Sequence, residues 1–258
     1  MTDLPSDIPA TGPADVHIRS ARKDDSAAIA ALFRISSDGL ADYIWSRMDD
    51  GSGRPLLEIG RARYEREGVA FSYQNCLVAA RDGAVIGMVH CFLMESAPEA
   101  ASEPDPDPVL APYAALEDAG SLYISGVAVV PDQRGKGIGS LLLATAEKRA
   151  RSLGLPRLSL ICDDANAAAM RLYHRLGFRA VDRRPLVPHP SLKYRSGDAV
   201  LMVRALDGVE GAAPSATVGS AEESEESHHD TGMETSGRRQ RRCFGRDADR
   251  DGQRRGGL

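Results

Sequence analysis

The sequence predicts an α/β chain, a mixed and mostly antiparallel sheet of about seven strands flanked by helices. Three observations carry this. The β-branched run Leu122–Val130 ends at Pro131, crosses a glycine-rich turn and opens into the apolar-periodic helix Ile138–Leu153. Cys76–Ala80 and Ala84–Leu93, joined by R-D-G, read as a hairpin. Pro156–Cys162 then forms a fifth strand, which a right-handed crossover sets parallel to the fourth.

The other elements follow in order. Residues 1–15 read as a disordered lead, and Val16–Ser20 alternates as a first strand. Asp24, Asp25 and Ser26 offer N-cap chemistry to a helix whose apolar positions are Ile29, Leu32, Phe33 and Leu40. Asp42–Met48 and Leu56–Glu67 continue as helical pieces broken by G-S-G-R-P. Their aromatics Tyr43, Trp45 and Tyr64 either pack the helices together or line a pocket. Residues 95–119 are an insertion whose prolines forbid a central strand and whose acids, Glu95, Glu99, Glu103, Asp105 and Asp107, keep it in solvent. Asp163 to Asn166 end the fifth strand and cap the helix Ala167–Leu176, with Gly177 as its stop. Phe178–Arg184 and Ala199–Arg204 pair antiparallel across a loop that carries His189 and Tyr194.

Composition bounds the rest. A chain of 258 residues, 42% hydrophobic, supports one core plus tails. The formal charge of −5 is unevenly spread: residues 205–237 hold eight acids and no Lys or Arg, and 238–258 hold eight arginines. Residues 207–258 have little to bury and are expected to be a disordered tail. Its arginines lack aromatic partners beyond Phe244 for stacking on bases, which argues against a nucleic-acid ligand. Cys76, Cys91, Cys162 and Cys243 show neither zinc nor redox spacing and suit a reducing cytoplasm. The acidic, proline-rich start is unlike a signal peptide, and no apolar run reaches a membrane span.

The chemistry concentrates in P-D-Q-R-G-K-G-I-G. Gly135, Gly137 and Gly139 strip side chains from a helix entry, where free N–H groups and the helix dipole favour an anion, most often a phosphate. Arg134 and Lys136 add two cations. A P-loop is excluded because Lys136 lies between the glycines rather than after the last. The dinucleotide fingerprint fits poorly at its third small position, although Asp163 and Asp164 stand near the distance its acid requires, so a dehydrogenase stays open.

The pattern R-x-x-G-x-G, here Arg134, Gly137 and Gly139 after V-A-V-V-P, resembles the acyl-CoA motif of the GNAT superfamily of N-acetyltransferases. A second stretch, N-A-A-A-M-R-L-Y-H-R-L-G-F from Asn166 to Phe178, is similar to that family's other helix and its closing strand. The resemblance covers about residues 16–206 and implies that the fourth and fifth strands splay. Gly126 would mark the bulge where they part. Val127, Ala128 and Val129 would bond the pantetheine arm. Gly135, Lys136, Gly137, Ile138, Gly139 and Ser140, with Arg134, would hold the pyrophosphate, and Asn166 the cofactor or its own helix start. Tyr173 matches the position of a general acid.

The resemblance further implies transfer of an acetyl group from acetyl-CoA to a primary amine, without a metal. Where relatives carry a glutamate base this chain has Tyr123 or Ile161, so the amine is expected to lose its proton through water ordered by Tyr123 and Ser125, with His90 on the adjacent strand. The missing glutamate keeps one rival alive, a catalytically silent acyl-CoA-binding sensor. The acceptor is not named: a small-molecule amine or a peptide amine, to which an acidic flap would be attractive. Homodimers are common in that family.

Overall fold

Strands β1 (His17–Ser20), β2 (Cys76–Arg81), β3 (Ala84–Leu93), β4 (Leu122–Val129), β5 (Arg157–Asp163), β6 (Arg179–Pro185) and β7 (Asp198–Ala205) join in one sheet, ordered β1-β2-β3-β4-β5-β7-β6. The computed structural model describes residues 15–95 and 107–206. Most of the expected lead, the proline-rich first half of the insertion and the tail from 207 lie outside the described residues. Every pairing is antiparallel except β4–β5. A doubly wound dinucleotide fold needs a mostly parallel sheet, so the dehydrogenase reading falls here.

Period-two alternation gives the sheet two apolar faces, and a helical layer covers each. On one side lie α1 (Ser26–Ser36), α2 (Leu40–Ser46), α3 (Leu56–Tyr64) and the short α4 (Ala111–Ala114), around Phe33, Trp45, Tyr64, Phe71, Phe92 and Tyr123. On the other, α5 (Ile138–Ser152) and α6 (Ala167–Arg175) cover Leu122, Ile124, Leu158, Leu160 and Phe178. Trp45 and Tyr64 are fully buried, so they pack the helices rather than line an opening.

Three sequence expectations are corrected. Leu40 does not extend the first helix: Asp38 and Gly39 take positive φ, stop α1 and let Leu40 start α2. Asp25 makes no side-chain cap for α1; its carboxylate instead accepts from Arg19 and from the Arg22 amide. The acids of the insertion are not all in solvent. Asp107 is buried and accepts from Tyr43 Oη at 2.8 Å and the Val109 amide at 3.0 Å, with Arg47 Nε at 3.1 Å. A desolvated carboxylate is tolerable only with such donors around it.

The feature that positions the site is a change of parity in β4. His90 pairs with Gly126 but Cys91 pairs with Ile124, leaving Ser125 as the extra residue of a bulge. Before the bulge Tyr123 faces the α1–α3 layer; beyond it the even positions do, and Ala128 joins that core while Val127 and Val129 join the other. At Gly126 helix α1 presses on the strand: a Cβ there would lie 2.6 Å from Ser36 Oγ and 3.2 Å from the Phe33 ring.

Candidate active site

β4 and β5 are bonded at one end only. Leu122, Tyr123 and Ile124 pair with Leu158, Ser159 and Leu160, and no later residue of either strand pairs with the other. The closed end is fastened by side chains. Ser121 Oγ donates to the Asp118 carbonyl at 2.7 Å and lies 2.6 Å from Ser159 Oγ, and Arg157 Nε meets Asp118 at 2.7 Å. Past Ile124, β4 bonds β3 alone; past Leu160, β5 bonds β7 alone. Apart from the Val129 carbonyl, which accepts from Arg134 Nε, the two strand edges facing this gap keep N–H and C=O groups without a partner strand, the donors and acceptors that an extended amide-bearing ligand satisfies.

The turn stands at the mouth of the gap. Among the described residues, the amides from Gly135 to Ser140 have no backbone acceptor, and the first helical bond after them runs from Leu141 N to Gly137 O. Gly135 and Gly137 adopt φ of 75° and 81°, with no atom within 4 Å of where a Cβ would be, so the concave side is open. Ile138 is buried and anchors the turn, leaving only its backbone to face a ligand. Arg134 Nε donates to the Val129 carbonyl at 3.1 Å, and Lys136 Nζ to the Asp132 carbonyl at 3.1 Å, which folds both cations over the turn. A ring of free amides flanked by two cations fits a diphosphate.

At the apex of the gap Ser125 Oγ lies 2.5 Å from His90 Nδ1. His90 Nε2 is 2.9 Å from the Ala70 carbonyl and must donate to it, so Nδ1 carries the lone pair and Ser125 is the donor. Phe33, Tyr64, Phe71 and Phe92 ring the imidazole. Burial drives its pKa down to about 3, so it stays neutral. Tyr123 packs its ring on Phe92 at 5.6 Å, inside the same core. The two residues named for an ordered water thus differ: Tyr123 is core, and Ser125 is committed to a histidine.

Tyr173 on α6 is half-buried, its ring edge-on to Phe178 at 5.8 Å. Burial raises its pKa, with help from Cys162 and Asp38, so the phenol is protonated. Asn166 caps α6 by accepting from the Ala169 amide at 3.2 Å and donates to Asp38 at 3.0 Å. His174 is exposed. His189 stacks edge-on against Tyr43 at 4.5 Å, and Tyr194 lies under Lys193 Nζ at 4.7 Å.

The groups at the end of β5, expected only as a strand end, a helix cap or a dinucleotide acid, stand in a network of their own. Asp163 Oδ1 accepts from Tyr113 Oη at 3.4 Å, and Asp38 holds Lys193 Nζ at 3.0 Å. Burial and then Asp38 raise the Asp163 carboxyl to about 6; burial first raises the Tyr113 phenol, and burial lifts the Cys162 thiol to about 12. The available signal was parity: Ile161 joins the α1–α4 core, and Asp163 is two residues on. Nothing local pointed to Tyr113.

Residues 42–178 match the acetyltransferase (GNAT) family, an interval holding the turn, the parted strands and α6. The chain belongs to the GNAT family. This GNAT chain is 32% identical over 177 residues to the mycothiol acetyltransferase of Acidothermus cellulolyticus, covering 66% of this chain and 47% of that one. It is likewise 32% identical over 182 residues to that of Parafrankia sp., covering 69% and 49%. The chain thus spans about half the length of the curated relatives it matches. Among solved structures it resembles yncA of Salmonella typhimurium, solved with its cofactor acetyl-CoA, with 25% identity, a TM-score of 0.51, 79% of this chain and 99% of that one. A crystal structure of an acetyltransferase shares the fold at TM-score 0.52 and 22% identity, covering 75% of this chain and 100% of that one. Among the described residues no helix of the GNAT chain is long and apolar enough to cross a membrane.

Proposed function

We propose that the protein transfers the acetyl group of acetyl-CoA to a primary amine by direct attack in a ternary complex. The observation that carries this is the parting of β4 and β5 after three residue pairs, with the ring of free amides at its mouth. The amides of Gly135 to Ser140, with Arg134 and Lys136, hold the diphosphate. The open edge of Val127, Ala128 and Val129 bonds the pantetheine arm. Acetyl-CoA supplies the thioester that serves as acyl donor.

The chain's own groups do the rest. Backbone N–H groups at the Ser125 bulge polarise the thioester carbonyl. Ser125, its proton given to His90, turns an oxygen lone pair toward an amine N–H. Tyr123 contributes packing that fixes the bulge. Tyr173, kept protonated, delivers a proton to the departing thiolate. The acceptor enters from the side of α1, α2 and the β6–β7 loop. The three buried free cysteines Cys76, Cys91 and Cys162 fit a reducing compartment such as the cytoplasm.

The test is thiol release from acetyl-CoA with a panel of amines, alongside acetyl-CoA binding. Amine-dependent release is the expected result. Tight binding with no turnover on any amine would replace the enzyme by an acyl-CoA sensor.

A further inference from the structure

The attacking nitrogen must be neutral, and most amines are protonated at pH 7, so some group has to take a proton. The groups around the open end of the strands divide sharply. His90 is sealed in an aromatic cage with its pKa down to about 3, too weak a base. Cys162 is a buried neutral thiol, and Tyr173 is a phenol held protonated. Asp38 already pairs with Lys193 and accepts a hydrogen bond from Asn166. Asp164 is exposed beyond the end of β5.

Asp163 differs from all of these. It ends β5 beyond Leu160, the last residue of that strand to pair with β4, and its side chain meets Tyr113 on the face covered by α1 to α4. Tyr113 arrives from the segment between β3 and β4, fifty residues away in the chain, and is itself buried. Among the described residues no ion pair includes Asp163, and the cation whose charge reaches it, Lys193, is held by Asp38.

We infer that Asp163, held by Tyr113, is the carboxylate that binds the acceptor's ammonium group and takes its proton. The inference deepens the amine-acetylation reading above and rests on it. One proton passes from R–NH3+ to the carboxylate, giving R–NH2 and a neutral carboxyl that later returns the proton to water. The nitrogen lone pair forms the C–N bond to the acetyl carbon as the C–S bond breaks. The nitrogen's second proton passes to water while the thiolate gains one from Tyr173, and the phenolate then regains a proton from water, leaving an amide, a free thiol and one proton released in all.

The surroundings tune the carboxylate for this. Burial, Asp38 and Asp164 raise its pKa, while the Tyr113 hydrogen bond and Lys193 lower it, and the balance sits at about 6. It is therefore ionised at pH 7 yet more basic than an ordinary carboxylate. Tyr113 acts through Asp163 and is a positioning residue.

The experiment measures kcat/KM against pH with acetyl-CoA and spermidine, L-methionine and a peptide with a free N-terminus, for wild type, Asp163→Asn and Tyr113→Phe. Asp163→Asn is expected to lose about 10²–10⁴-fold in kcat/KM together with the acid limb, and to bind acetyl-CoA within twofold of wild type. Tyr113→Phe removes a donor to the carboxylate, so its acid limb moves to higher pH; the Asp163 carboxyl carbon, followed by 13C NMR, titrates higher by the same amount. Wild-type turnover with Asp163→Asn still within threefold, or an unmoved limb and carbon titration in Tyr113→Phe, overturns the role of Asp163 alone. No turnover by wild type with any amine overturns the proposed function and this inference with it.

Discussion

Ser125 is both the extra residue of the β4 bulge and the hydrogen-bond donor to His90, 2.5 Å away. The pair joins a backbone irregularity to a side chain that cannot titrate at neutral pH. A bulge shifts every following side chain to the other face, and a hydroxyl fixed at the shift point records where the parity changes.

The first prediction concerns acid stability. The folded-state pKa of His90 lies below its unfolded value, at about 3. Between about pH 6.5 and that value the unfolded chain binds the proton and the folded one does not, so stability falls as pH falls, by up to about 1.4 kcal/mol per unit. Asp163 works the other way: its raised pKa, about 6, favours the folded state at low pH and loses that contribution as pH rises toward 6. Urea midpoints from pH 7 to 4 should decline less steeply in His90→Gln than in wild type. Equal slopes would place the imidazole in contact with water.

A second prediction addresses the pressure of α1 on β4. Gly126→Ala sets a methyl 2.6 Å from Ser36 Oγ and close to the Phe33 ring, so α1 must move. The expected cost is about 1–3 kcal/mol. Ser36→Ala in the same chain should recover part of it, giving a measurable coupling in a double-mutant cycle by chemical denaturation. Strict additivity would show that the strand, not the helix, yields.

The turn gives a third. At Gly137, φ of 81° leaves any other residue strained, although no atom blocks a Cβ. Gly137→Ala should therefore cost about 1–2 kcal/mol in the turn and weaken acetyl-CoA binding by tenfold or more, with Tyr173 and Asp163 untouched. Calorimetric titration reads the affinity directly; an unchanged Kd would remove the turn from cofactor binding.

A fourth concerns the closed end of the strand pair. Ser159→Ala removes the buried bond to Ser121, which keeps its bond to the Asp118 carbonyl, so the loss should be about 1 kcal/mol. Arg157→Met also strips Asp118 of its cation and should cost more. Thermal melts of the two variants and their double mutant check the order. If neither moves the melting temperature, backbone pairing alone fixes where the gap begins.

The sequence was legible where structure is local. The hairpin around R-D-G, the strand leading into the glycine turn and the helix capped by Asn166 are all written in residues close along the chain. Their dihedral and hydrogen-bonding preferences do not depend on distant partners. The break between α1 and α2 was missed because Asp38 takes a left-handed conformation that a periodicity count does not register. Asp107 was misjudged for a related reason: acids among prolines read as solvated, but Tyr43 lies sixty-four residues away and supplies the bond that lets this one be buried.

What the sequence by itself determined is the sheet's strands, the family and the turn with its free amides, because glycine positions and alternation act over a few residues. Only the tertiary structure decided which acid stands at the open edge. Asp163 and Tyr113 are fifty residues apart, and Asp38 reaches Asn166 across one hundred and twenty-eight. A carboxylate's basicity depends on what surrounds it after folding, through burial, neighbouring charge and donated hydrogen bonds, and none of these is a property of its position in the chain.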